Sequence, residues 1–128
     1  MDWVTSIHQA IQYIEEHLRE ELTIREIAQQ AALSPFYFQK GFAMLCGMTV
    51  GDYIRQRRLS AAGLEVLTTD QKIIDIALEF GYDSPDSFTK AFTRFHGLTP
   101  AALRKSGGAV RSFAPLRIKV TLEGGQNM

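Results

Sequence analysis

Two short rows of side chains have the types and the spacing to hydrogen-bond an extended polar surface. Phe36, Gln39, Lys40 and Ala43 stand at i, i+3, i+4 and i+7, which is one face of a helix. Asp86, Thr89, Lys90 and Thr93 occupy the same four positions 50 residues later. Each row follows a Ser-Pro pair, Ser34-Pro35 and Ser84-Pro85. Serine is a good helix N-cap and proline suits the first helical position. A helix start also presents free backbone N–H groups and a positive dipole end, which favour a phosphate. Such a row can face base edges in a major groove. There Gln39 can pair with adenine, and Lys40 and Lys90 can reach guanine or phosphate. Phe36 can touch a thymine methyl, and Asp86 can accept from cytosine or cap its own helix. Taken singly, either row also reads as an ordinary solvent face; the duplication is what argues for a shared task.

Other chemistry finds little support. His8, His17 and His96 have no metal-ligand spacing, and the single Cys46 adds none, so no zinc site is expected. No nucleophile-base pair, phosphate-cradling glycine loop or carboxylate dyad stands at informative spacing, so no enzyme and no cofactor is expected. The best enzymatic case is alkyl transfer to Cys46, against a plain role as a small buried hydrophobe. Arg55, Arg57 and Arg58 form a basic cluster that fits phosphate contact. Arg57 falls on an apolar side and fits a carboxylate partner better.

Composition sets the frame. The chain has 128 residues, 45% hydrophobic and 22% charged, with zero formal net charge. That length suits one domain or two small lobes. No apolar run approaches a membrane span, no secretory leader opens the chain, and one cysteine fits a cytoplasmic location. Zero net charge argues mildly against a nucleic-acid partner. The charge is segregated, however. Residues 1–33 carry two arginines against six carboxylates, and residues 34–64 carry four basic residues against Asp52 alone.

The elements that would position the two rows repeat as well. Ile27-Ala28 matches Ile76-Ala77 at an offset of 49. Ser34, Pro35, Phe38, Phe42, Gly47 and Thr49 match Ser84, Pro85, Phe88, Phe92, Gly97 and Thr99 at an offset of 50, so one extra residue falls in the second turn. Two short helices with a Ser-Pro start on the second form a helix-turn-helix pattern. Phe38, Phe42 and Leu45, and then Phe88, Phe92 and Phe95, are the expected core faces. Trp3, Ile7, Ala10, Ile11, Ile14 and Leu18 predict an amphipathic first helix. Thr23 through Glu26 is a capping box opening the next.

Between the copies lies Thr49–Leu67, a predicted helix of about five turns. It is apolar on two sides: Val50, Tyr53, Ile54, Ala61 and Leu64, and then Leu59, Ala62, Gly63 and Val66. Such a helix is an ordinary core helix buried between two bodies, or it joins them; the repeat on either side favours the second reading. The fold class is therefore all-α, two helix-turn-helix lobes on a long central helix. Lobe one spans about 1–48, the linker helix 49–67 and lobe two 68–106. Residues 107–128 form a linker and extended tail, with a strand signal over Arg117–Leu122.

Arg58-Leu59 with Ala62, Ile76-Ala77 with Gly81-Tyr82, Ser87-Phe88 with Phe92, and Gly97-Leu98-Thr99-Pro100 with Arg104 resemble the AraC/XylS family of bacterial transcription regulators. The resemblance covers about Ile7 to Arg104 and is most specific in its second half. It implies two recognition helices, about 35–46 and 85–96, entering successive major grooves of promoter DNA. It also implies RNA polymerase as a partner and activation as the usual outcome. Carried over by position, Phe36, Gln39 and Lys40 form the first reading set, and Asp86, Thr89 and Lys90 the second. Three positions depart from the family pattern. Ala32 stands where a glycine is common, Ala43-Met44 where basic residues are usual, and Gly63 interrupts the linker helix, either at a cost of about 1 kcal/mol against alanine or as a close packing point between lobes. The segment SFAPLRIKVTLEGG resembles the start of a GyrI-like effector-binding domain, which implies a small-molecule effector bound outside this chain. The competing reading is a helical protein-interaction module, suited to zero net charge and an acidic first helix.

Overall fold

The computed structural model describes residues 2–117. These form α1 (Trp3–Glu16), α2 (Ile24–Gln30), α3 (Pro35–Cys46), α4 (Val50–Thr68), α5 (Ile73–Glu79), α6 (Pro85–His96) and α7 (Pro100–Ser106). No strand occurs among the described residues. Arg117 has no regular structure, and the rest of the expected strand lies outside the described residues. No described helix is long and apolar enough to cross a membrane.

Side-chain chemistry sets most of the helix boundaries. Asp2, Thr23, Ser34, Thr49, Ser84 and Thr99 each cap a helix by accepting a backbone N–H. Gly47, Gly97 and Gly107 end three helices in the left-handed conformation. Both helix-turn-helix turns use one wiring. In the first, Leu33 N–H bonds the Ala28 carbonyl at 3.0 Å and Ala32 N–H bonds that of Gln29 at 3.0 Å. In the second, Tyr82 bonds Ala77 at 2.9 Å and Gly81 bonds Leu78 at 3.1 Å. This is a Schellman ending whose pivot is Ala32 (φ 58°) in one lobe and Gly81 (φ 87°) in the other. After the pivot, lobe one goes through Leu33 to Ser34, whereas lobe two passes Tyr82 and Asp83 before Ser84. Asp83 is therefore the extra residue.

There are two hydrophobic cores. Ile7, Ala10, Ile11, Ile14, Leu18, Ile27, Ala28, Ala31, Phe38 and Phe42 close around Val50, Tyr53 and Ile54 of α4. Ile76, Ala77, Phe80, Phe88, Phe92 and Leu103 close around Leu59, Ala62 and Val66 of the same helix. The two-sided α4 thus feeds one core with its first turns and the other with its last.

Four expectations need correction. Leu64 is exposed and Ala61 packs on the second core, so the first side of α4 ends at Ile54. Leu45, in the last turn of α3, is exposed. Gly63 is not a contact between lobes. A Cβ there would lie 2.5 Å from the imidazole of His96, so it is the close-approach point of α4 and α6 within lobe two. Nor are the lobes held apart by a rod alone. Arg19, in the loop after α1, pairs with Glu65 of α4 and Glu79 of α5, and its guanidinium lies 4.7 Å from the Phe80 ring centre. Arg58 donates from α4 to the Leu18 and Glu20 carbonyls at 2.9 and 2.7 Å.

The segment after α7 returns along α4. Val110 packs on the second core, and Phe113 and Leu116 pack on the first. Ser60 Oγ accepts from Phe113 N–H at 3.0 Å, and Tyr53 Oη from Leu116 N–H at 3.4 Å. Residues 108–117 are a strap across both lobes.

Candidate nucleic-acid interface

The two Ser-Pro helices, α3 and α6, bury one face each. Phe38, Gly41 and Phe42 are buried on the first, and Phe88 and Phe92 on the second. The opposite faces carry the polar rows. Phe36 (66% exposed), Gln39 and Lys40 all stand in solvent, as do Asp86 and Lys90. Ala43 and Thr89 are half-buried. Ser34 and Ser84 are spent as caps at 3.3 and 3.1 Å from the Tyr37 and Ser87 N–H groups. Thr93 is set apart from its row: it is half-buried, and its hydroxyl is buried with no hydrogen-bond partner among the described residues.

The first row is partly ordered by its own members. Gln39 Nε2 donates to the Pro35 carbonyl at 3.3 Å, and Lys40 Nζ sits 5.9 Å from the Phe36 ring centre. Neither Lys40 nor Lys90 forms an ion pair among the described residues. Their ammonium groups point to no internal anion and remain available to an external one.

The arginines of α4 divide. Arg57 is internal: its Nε and Nη2 atoms bond Glu15 at 2.7–3.1 Å, and Nη1 reaches the Phe113 carbonyl at 2.6 Å. Tyr53 Oη donates to the same Glu15 at 2.7 Å. Burial, then the Glu15 charge, pushes the Tyr53 phenol well above its usual range. Arg58 is consumed by the two carbonyls of lobe one, and burial lowers its pKa. Only Arg55 of the three is exposed, with Asp52 as partner at 2.5 Å. The expected basic cluster is thus one surface cation and two structural ones.

Catalytic alternatives weaken on inspection. Cys46 is half-buried, and burial raises its thiol pKa, the opposite of an activated thiolate. No group of three or more His, Cys, Asp or Glu is placed to hold a metal ion among the described residues.

A family model described as a helix-turn-helix domain matches residues 27–106, both of the turns just described. The chain belongs to the AraC/XylS family of transcription regulators. Regulatory protein SoxS of Escherichia coli (strain K12) is 40% identical over 98 residues, 77% of this chain and 92% of SoxS. The HTH-type transcriptional activator AarP of Providencia stuartii is 35% identical over 114 residues, 89% of this chain and 84% of AarP. The chain spans only 35% of the length of a further relative, the regulator YbfP of Bacillus subtilis, to which it is 36% identical over 104 residues. Among solved structures, the DNA-binding domain of AdpA in complex with a target DNA superposes with a TM-score of 0.72 at 26% identity. That match covers 79% of this chain and 91% of the AdpA chain. This AraC-type chain is accordingly a DNA-binding transcription regulator with a two-lobed, all-α domain.

Sequence reasoning passed over two exposed cations close to the second row. Arg94 lies one turn beyond Lys90 on α6, a spacing that was open to notice. Arg111 lies in the strap, where no periodicity marks it.

Proposed function

We propose that this chain binds an asymmetric promoter site by placing α3 and α6 in successive major grooves. Phe36, Gln39, Lys40 and Ala43 form one reading set, and Asp86, Thr89, Lys90 and Thr93 the other. One observation carries the reading. Three matched positions of two equivalent helices, Phe36 with Asp86, Gln39 with Thr89 and Lys40 with Lys90, lie opposite their cores, with an exposed lysine at the same place in each. The Ser34 and Ser84 caps anchor both helix starts, whose N–H groups suit a phosphate. The AdpA complex supports DNA as the ligand, and the activator AarP supports activation as the outcome, with RNA polymerase as the partner this reading adds. In this reading the protein works in the cytoplasm, without catalysis.

The test is promoter binding by the wild type and by the Lys40→Ala/Lys90→Ala double variant. Wild-type affinity should fall with salt at a log–log slope of about −4.5 for five phosphate contacts. The double variant should lose its specific footprint while keeping its helicity. A retained footprint would refute these residue assignments.

A further inference from the structure

We propose that the strap supplies a DNA contact of its own: Arg111 joins Arg94 and Arg55 in a cleft that grips one phosphodiester beside the groove read by α6. The proposal rests on the DNA-binding reading above. The cleft, of about 340 Å³, lies where α4, α6 and the strap meet, and Gln56, Leu59, Ala91 and Phe95 complete its walls. Three guanidinium groups line it. Arg55 has Asp52 as partner, while Arg94 and Arg111 have no ion pair among the described residues. With Asp52 offsetting only Arg55, the cleft keeps two guanidinium groups without an anion, an arrangement that an external anion would relieve.

Arg111 is held in place before any ligand arrives. Its backbone N–H bonds His96 Nδ1 at 3.2 Å, and its guanidinium carbon lies 5.3 Å from the Phe95 ring centre. His96 is fixed in turn: Nε2 donates to the Leu59 carbonyl at 2.8 Å, which leaves Nδ1 as the acceptor. The duplication supplies a comparison. Arg94 and Phe95 correspond to Met44 and Leu45 at an offset of 50. The cleft on the same flank of α3 is lined by Trp3, Tyr37, Lys40, Gly41, Met44 and Leu45, and apart from Lys40 its walls are apolar. Lobe one has a single lysine at its cleft, whereas the lobe-two cleft gathers three arginines. Its position also fits, because Lys90 and Arg94 are i and i+4 on α6, so the cleft borders the reading row. The flanks of a helix in a major groove face the phosphate backbone, whose contacts fix register without carrying sequence. Arg111 lies outside the matched helix-turn-helix segment, 27–106, so the contact belongs to the strap and not to the repeated unit.

The experiment is the salt dependence of promoter binding for four proteins: wild type, Arg111→Ala, Arg111→Lys and Ser60→Ala. Loss of one phosphate contact should reduce the slope by about 0.9 in Arg111→Ala, with Arg111→Lys close to wild type. Ser60→Ala loosens the strap at Phe113 but keeps every arginine, so it should weaken binding at unchanged slope. A wild-type slope in Arg111→Ala overturns the proposal and leaves the DNA-binding reading intact. Absence of salt-dependent binding in the wild type overturns both. Millimolar inorganic phosphate that titrates the cleft while Arg111→Ala keeps the DNA slope would indicate a free-anion site and also overturn the proposal.

Discussion

At the scale of single residues, two positions on the backbone have opposite needs. Ala32 holds φ 58°, a conformation that costs a non-glycine residue about 1–2 kcal/mol. Its counterpart Gly81 bears no such strain. Glycine returns about 0.5–1 kcal/mol of that gain as unfolded-chain entropy. Ala32→Gly should therefore stabilise the protein by about 0.5–1 kcal/mol. Gly63 runs the other way. Alanine there gains about 1 kcal/mol of helix propensity. Its Cβ, however, would drive the His96 ring off the Leu59 carbonyl, and overpacking of this kind costs about 1–3 kcal/mol besides the lost bond. Gly63→Ala should be net destabilising by about 1–2 kcal/mol. Urea midpoints for the two variants, shifted in opposite directions, check the pair. Both positions were visible in the sequence as departures, but only Ala32 was visible with its reason. A turn pivot is a local matter. The partner of Gly63 is 33 residues away, and no spacing rule connects them.

At the scale of elements, caps, periodicity and the repeat marked the first six described helices, because serine, threonine and proline mark helix starts through short-range bonds. Faces were read less well near helix ends. Leu45 and Leu64 fit the periodicity of their apolar sides, yet both are exposed, because periodicity does not say where the packing partner ends. The strap was legible only as an extended tail, since its order comes from partners elsewhere in the chain. Arg57 is the chief of these: one guanidinium binds Glu15 of α1 and the Phe113 carbonyl of the strap from α4. Its side chain is 14% exposed and that of Glu15 21%. Arg57→Ala leaves the strap carbonyl without its donor and Glu15 with the Tyr53 hydroxyl in place of a paired charge, and should cost about 2–3 kcal/mol. It should also speed hydrogen exchange at Phe113 and Leu116 above that at the α6 core. Uniform acceleration across both lobes would show that Arg57 does not hold the strap in particular.

At the scale of the whole molecule, three kinds of tie fix one lobe against the other: α4 itself, the arginine contacts of Arg19 with Glu65, Glu79 and Phe80 and of Arg58 with the Leu18 and Glu20 carbonyls, and the strap. Of these only α4 could be read from the sequence, because the other two join residues far apart in the chain. The ties make the spacing between the two reading rows a property of the fold and not of the ligand. A rigid pair of readers demands a fixed helical phase between the two parts of its DNA site. The decisive measurement is affinity for the natural promoter site against the same site with five base pairs inserted between its two halves. Half a turn of DNA carries one half to the opposite face. The account predicts a loss of at least about tenfold, leaving the grip of a single lobe. Unchanged affinity would contradict the claim that both lobes read one face of the duplex together.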